Sequence, residues 1–332
     1  MTGVERPRSV LPGIGIGIAA VLLGLWLGAQ RGDPALLAGL FDDPMDPRLR
    51  LLIAWRLPRV LAAWCVGACL GIAGVLFQGL FRNPLAEPFL LGGAPGAALG
   101  ATIALLIPLP LPGPLAIPLL AFAGAWGATA GVVGLARLAG VRDAATLLLA
   151  GVAVSAVLAA VRSLLMLALT DESVSLQLVL SWTLGGIATP HWPGLGLLAL
   201  LTALALMAGR HLAPGLDLLG LGDDIARNMG LPLERFLRVG ILVAAAVTAV
   251  AVAAGGLVAF VGLVIPHMVR WRIGPLHRPL CVHAALAGGA ATVVLDAFAR
   301  SLMPPADIPL GLLTAMIGAP VFILILIREQ NR

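Results

Sequence analysis

A chain of 332 residues that is 60% hydrophobic and 11% charged, with a mean hydropathy of +1.04, carries far less charge than a soluble domain, where about 25% is usual. All 21 basic residues are Arg; without a single Lys the chain cannot hold a P-loop or form a Schiff base, so it is neither a conventional ATPase on its own nor a lysine-dependent enzyme. The net charge of +5 is dispersed among apolar runs, where it reports topology and gives no support for nucleic-acid binding.

The pattern predicts an all-α, polytopic membrane protein, a single transmembrane domain over residues 1–332 with about ten crossing helices. A basic start leads into an apolar run ending near Ala29, which is long for a signal-peptide core and lacks a small-residue cleavage signal. Further apolar runs follow at 60–81, 89–107, 115–136, 144–169, 176–209 (interrupted at 189–193), 236–269, 280–300 and 308–327. The run 236–269 would be about 51 Å long as one helix, against a bilayer core of about 30 Å, so it is expected to break at Gly255-Gly256. Cys65, Cys69 and Cys281 lie inside apolar runs and read as small packing residues.

Between the sixth and seventh runs, residues 211–238 are polar where their surroundings are not, and about 211–235 form the expected coupling-helix loop. Gly222, Asp223, Asp224, Ile225, Ala226, Arg227, Asn228, Met229 and Gly230 predict a two-turn helix. Asp223 would cap its start, Arg227 would suit its negative end, and Gly230 would close it in the left-handed conformation. Pro232 suits the first turn of the next helix. Leu221, Ile225 and Met229 recur at i, i+4, i+8 and give this charged helix an apolar face. The bland alternative is a loop helix resting on lipid headgroups.

With ten spans and the N-terminus inside, 14 of the 21 arginines fall on the cytoplasmic side, as the positive-inside rule requires, and both termini and residues 211–238 lie there. Arg48, Arg50, Arg56, Arg59 and Arg300 are exceptions that form an external cationic rim; Asp42, Asp43 and Asp46 could neutralise part of it. Arg162 falls within the fifth span, where an arginine needs water or a partner. It either snorkels toward Asp171 or Glu172 or contacts an anionic solute in a pathway. Glu87 and Asp296 fall near span ends, and the lack of a mid-span carboxylate argues against a proton-coupled carrier.

Four blocks then share one resemblance. The first joins Arg56, Pro58 and Arg59 to Gly74, Gln78, Arg82, Asn83, Pro84, Glu87, Pro88, Gly92 and Gly96; the second is residues 221–230. The third is residues 260–267 (including Gly262, Pro266 and His267) with Arg270; the last is Asp296, Arg300, residues 308–311 and residues 317–322. From about residue 50 to the C-terminus the chain resembles the permease subunits of type II ABC importers for iron–siderophore, haem and cobalamin uptake.

That resemblance implies a homodimer in the bacterial inner membrane, two cytoplasmic ATP-binding cassette subunits that hold ATP and Mg, and a periplasmic substrate-binding protein. No cofactor is implied on this chain itself, which would be a transport subunit and not an enzyme. Residues 221–230 would couple to the ATPase, and Arg56, Arg59 and Arg300 would dock the binding protein. Asp143, Ala144, Ala145 and Thr146 would form a cytoplasmic gate, although this chain has only Thr146 where relatives are rich in hydroxyls. Gln78, Asn83, Pro84, Gly262, Pro266 and His267 are read as structural, with packing favoured over metal binding at His267. The rival classes are a secondary carrier acting without an ATPase and an intramembrane enzyme or scaffold.

Overall fold

The computed structural model describes residues 10–27, 50–140, 144–169, 176–303 and 307–330. Among them the regular structure is all helical, with no strand. The helices are α1 (Leu11–Trp26), α2 (Leu52–Leu80), α3 (Gly93–Leu106), α4 (Gly113–Leu138), α5 (Ala144–Leu169) and α6 (Leu176–Thr183). They continue as α7 (Trp192–Leu219), α8 (Asp223–Asn228), α9 (Leu233–Gly255), α10 (Val261–Ile273), α11 (His277–Leu302) and α12 (Leu310–Gln330).

Proline and glycine punctuate these helices as their backbone restrictions require. A proline occupies the first turn of α1, α4 and α7, where no intrahelical N–H bond is lost. The long run 236–269 breaks where the sequence indicates: α9 ends at Gly255, and Gly256 takes a φ of 62° that a side chain would resist. The run 176–209 divides more fully than expected, into α6, a non-helical link over residues 184–191 and α7.

Among the described residues, six helices are long and apolar enough to cross a membrane: α2, the body of α4, the body of α5, α7, α9 and α11. Leu11–Trp26, Gly93–Leu106 and Leu310–Ile325 are shorter apolar helices. The 13 residues of α10 amount to about 20 Å and end on Arg270 and Arg272, so this element is short of a bilayer by itself.

The bundle is built around α2, which packs against α11, α9, α7 and α10. Val66, Leu70, Ile72, Leu76 and Phe77 are almost wholly buried along it. Its closest neighbour is α11, where a Cβ on Gly67 would overlap the Gly288 carbonyl and a Cβ on Gly288 would overlap that of Gly67. The two backbones thus approach to a distance that only small residues permit. A second group joins α3 to α4 and α4 to α9, with Trp126 Nε1 donating to the Leu242 carbonyl at 3.2 Å. By contrast α5 packs chiefly along α3 and α4, and Leu149, Leu164 and Leu167 lie exposed on it.

Candidate functional site

The polar stretch after α7 folds as the short helix α8, opened by Gly222 at φ 110° and followed by Met229 and Gly230 at φ 89°. Its end is a Schellman closure: Leu231 N donates to Ala226 O at 2.9 Å and Gly230 N to Arg227 O at 2.9 Å. The expected cap at its start is corrected. Gly222 occupies the N-cap and no side chain bonds there, so Asp223 is the first helical residue. Its negative charge still suits the helix N-terminus, but its carboxylate turns to Arg82, with Nη1 to Oδ1 at 3.0 Å.

The apolar side chains of α8 and its two flanks are turned outward: Ile225 on the helix, Leu221 in the turn before Gly222, and Met229 at the C-cap. Leu221, Ile225 and Met229 are 59%, 48% and 60% exposed, while Ala226 is the residue buried toward the bundle. Three large apolar side chains on an element bounded by Asp223, Asp224 and Arg227 make a compact, exposed hydrophobic face with a charged margin. Arg227 lies 3.9 Å from Asp224, a loose pair at the surface.

Arg82 belongs to the turn that ends α2, where it adopts φ 50°. Asn83 N donates to Gln78 O at 3.1 Å and Arg82 N to Gly79 O at 3.2 Å, so this too is a Schellman closure, with arginine where glycine is usual. Asn83 Oδ1 accepts from Leu85 N at 2.9 Å and fixes the turn before Pro84 and Leu85 continue. One helical turn earlier, buried Gln78 donates Nε2 to the Leu263 carbonyl at 3.0 Å and ties α2 to α10. Gly262 packs against Pro88 and the Leu70 carbonyl. His267, also buried, lies edge-on to Trp271 with ring centres 4.6 Å apart, and Pro266 is buried beside it.

Glu87 joins the same region. Its Oε1 accepts from Phe260 N at 3.3 Å, and Phe260 opens α10 at φ 64°. Burial pushes the Glu87 carboxyl above its ordinary value, and the Phe260 N–H partly opposes that shift.

At the opposite end of α2 the predicted outer arginines converge, around a carboxylate that was expected only to lie near a helix end. Asp296, 1% exposed, receives Arg59 Nη2 at 3.2 Å on Oδ1 and Arg300 Nε at 2.9 Å on Oδ2. Arg59 Nη1 also reaches Asp307 Oδ2 at 2.9 Å. Arg300 is buried, and its Nη2 donates to the Gly24 carbonyl at 3.1 Å. Arg56 Nη1 donates to the Leu25 carbonyl at 3.3 Å. Both carbonyls lie in the last turn of α1, the end of a helix that favours cations. Of the three arginines, then, Arg300 is turned inward while Arg56 and Arg59 are partly accessible. Arg56 also ends a π-helical turn, Leu52–Arg56.

Arg162 is held between two hydroxyls: Nε donates to Thr102 Oγ1 at 3.0 Å and Nη2 to Thr183 Oγ1 at 2.7 Å. These bonds draw α3, α5 and α6 to one arginine. Asp171 and Glu172, its alternative partners, lie outside the described residues, as do Asp42, Asp43, Asp46, Arg48 and Asp143. Ala144, Ala145 and Thr146 open α5.

One pair was missed entirely in the sequence. Asp217, in the last turn of α7, faces His277 at the start of α11; Oδ1 lies 2.6 Å from Nδ1 and accepts from the His277 backbone N at 3.0 Å. Sixty residues separate the two, so no local spacing marks them.

Several membrane-length apolar helices and a short charged helix with exposed apolar side chains on and beside it describe a polytopic helical membrane protein. The chain belongs to the FecCD transport family, whose profile matches residues 16–328. It is 41% identical over 280 residues to the Fe(3+) dicitrate transport system permease protein FecD of Escherichia coli K12, covering 84% of this chain and 86% of that one. It is 37% identical to the hemin transport system permease protein HmuU of Yersinia pestis, over 100% of this chain and 99% of the other. It is also 38% identical to the vitamin B12 import system permease protein BtuC of Escherichia coli O6:H1, over 93% and 92%. A solved inward-facing structure, provisionally classed as a metal-chelate type ABC transporter, superposes with a TM-score of 0.82 at 29% identity, covering 96% of this chain and 97% of the other.

Proposed function

We propose that this chain is the permease subunit of an ATP-driven importer that moves a metal chelate from periplasm to cytoplasm by alternating access. It would act as a homodimer in the bacterial inner membrane, each chain one transmembrane domain of ten crossing segments with both termini cytoplasmic. Two ATPase subunits would bind ATP and Mg, and a periplasmic binding protein would deliver the cargo. Closure of the ATPase dimer would push α8 and re-tilt the helices above it.

The observation that carries this reading is the outward apolar face of Leu221, Ile225 and Met229. A helix of six residues gains little stability by itself, and one that shows its apolar side chains to solvent suits a groove on another protein. The absence of Lys from the sequence requires that ATP hydrolysis come from a separate chain. At the outer end, the partly accessible Arg56, and Arg59 by exchanging its exposed partner Asp307, would meet an acidic binding-protein lobe, with Arg300 fixing Asp296 behind them. The gate is assigned to Asp143, Ala144, Ala145 and Thr146.

Relatives named for iron dicitrate, hemin and vitamin B12 set the range of cargos. Arg162, oriented by Thr102 and Thr183, favours an anionic chelate, a ferric siderophore or haem, over cobalamin. The test is ATP-dependent uptake into proteoliposomes holding the permease, its ATPase and its binding protein. Uptake of haem or ferric siderophore that falls in Arg162→Ala supports the assignment. Preferential uptake of cobalamin, unaltered by that substitution, would remove it.

A further inference from the structure

A cavity of about 690 Å³ opens between the adjoining ends of α2, α4, α5, α7 and α9 and the flank of α8. Its charged lining consists of Arg82, Arg137, Arg227, Arg238, Asp223 and Glu234, a net excess of two positive charges. Arg82 is matched by Asp223 at 3.0 Å, and Arg227 is loosely paired with Asp224 at 3.9 Å. Among the described residues, Arg137 and Arg238 make no hydrogen bond or ion pair. Two guanidinium groups from different helices therefore line one recess without a direct ion pair, and Glu234 and Asp223 in the same lining leave the net excess of two positive charges.

The apolar part of the lining is ordered relative to these charges. Val133 lies one turn before Arg137 on the same face of α4, and Ile241 one turn after Arg238 on α9. In both helices the apolar residue is the one further from the end that carries the charge, and Leu80 and Leu147 extend the same wall. A cationic mouth over an apolar wall suits a ligand that is itself anionic at one end and apolar behind it. The planar guanidinium fork matches phosphate oxygens in pairs, and a basic pocket between helices at the cytoplasmic side is a recurrent headgroup site.

We propose that this cavity binds the phosphate headgroup of an anionic phospholipid of the cytoplasmic leaflet, held between Arg137 of α4 and Arg238 of α9. The assignment of the leaflet rests on the cytoplasmic placement of α8 proposed above. Because Asp223 and Arg227 of α8 line the same recess, a bound headgroup braces the coupling helix against α4 and α9, and coupling depends on the lipid.

The test uses the permease with its ATPase, in nanodiscs of phosphatidylcholine alone or with added phosphatidylglycerol. Lipid retention is read by native mass spectrometry. Wild type is expected to retain phosphatidylglycerol over phosphatidylcholine. Loss of each arginine in Arg137→Gln and Arg238→Gln should lower retention about fivefold, and the pair about twenty-five-fold. The double Lys variant, which keeps the charge but not the planar fork, should recover part of it. Equal retention of phosphatidylcholine, or a double Gln variant that retains phosphatidylglycerol like wild type, overturns the site. Displacement of the lipid by millimolar inorganic phosphate overturns the lipid and leaves a soluble phosphate-bearing anion as ligand. Retention is measurable on the permease without its ATPase, so failure of the coupling reading would show separately, as lipid bound with no ATPase associated.

Discussion

Arg82 Nη1 lies 3.0 Å from Asp223 Oδ1, across the joint between the end of α2 and the start of α8. The arginine reaches it from a left-handed backbone conformation that glycine would adopt without strain. Strain at this turn is thus tied to a contact with α8. A non-glycine residue at such a φ costs about 1–2 kcal/mol, whereas an ion pair this exposed contributes less than about 1 kcal/mol. Arg82→Gly is therefore expected to match or slightly exceed wild type in thermal stability, and Arg82→Ala to fall below Arg82→Gly by about 1 kcal/mol. Both should raise the ATP hydrolysed per cargo molecule imported. A Tm for Arg82→Gly below that of Arg82→Ala would contradict the strained closure.

The outer arginine cluster should divide sharply by burial. Asp296→Ala leaves buried Arg300 without its carboxylate, a change of about 3–5 kcal/mol in comparable buried pairs, and should abolish folded protein in detergent. Asp307, whose side chain is 45% exposed, contributes less than about 1 kcal/mol, so Asp307→Ala should leave the melting temperature nearly unchanged. Equal losses for both would mean that Asp296 is not the centre of the cluster.

Docking is tested at the accessible arginines. Arg56→Glu combined with Arg59→Gln should weaken binding-protein association several-fold at low salt, with a smaller difference at high salt, because exposed charges act over a screened range. Affinity that is unaltered at either ionic strength would restrict these arginines to topology and packing.

Glu87 gives a pH dependence with a definite sign. Its folded-state carboxyl sits above the ordinary value of 4.5, chiefly through burial. The protonated form is favoured on folding, so its contribution is fully present below that ordinary value and is lost as pH rises through the higher folded one. Glu87→Gln keeps an acceptor for Phe260 N and removes the titration. The variant should melt at a temperature that varies less with pH in this window, and at neutral pH it should be at least as stable as wild type. A variant less stable than wild type at neutral pH would show that the ionised carboxylate is required.

Much of this arrangement was legible because its signals are local. Gly230 and Gly255-Gly256 are backbone statements, and each emerged where the sequence put it; the expected two-turn helix is shorter, Asp223–Asn228, with Leu221 before it and Met229 at its cap, and all three apolar residues exposed. The start of α8 was misjudged because Asp223 competes between two uses, capping its own helix or meeting Arg82, and the second partner lies 141 residues away in the chain. The Asp217–His277 pair was invisible for the same reason. Asp296 with Arg300 could have been found, since i, i+4 spacing places them on one helix face. The position of Asp296 near a span end masks that pairing, which only its neighbour one helical turn on reveals. The orientation of the 221/225/229 face was the finding that needed coordinates, because spacing defines a face without saying which way it looks.

That face is where the account is most exposed to contradiction. Association of the permease with its ATPase, measured by co-purification and by affinity in detergent for wild type and for Ile225→Asp, examines it directly. A charge at the centre of the apolar triplet should weaken association by at least about tenfold, as loss of an interface anchor does, with no change in the melting temperature of the permease alone. Wild-type affinity in Ile225→Asp, or uptake by this chain in vesicles without any ATPase, would contradict the coupling role of α8.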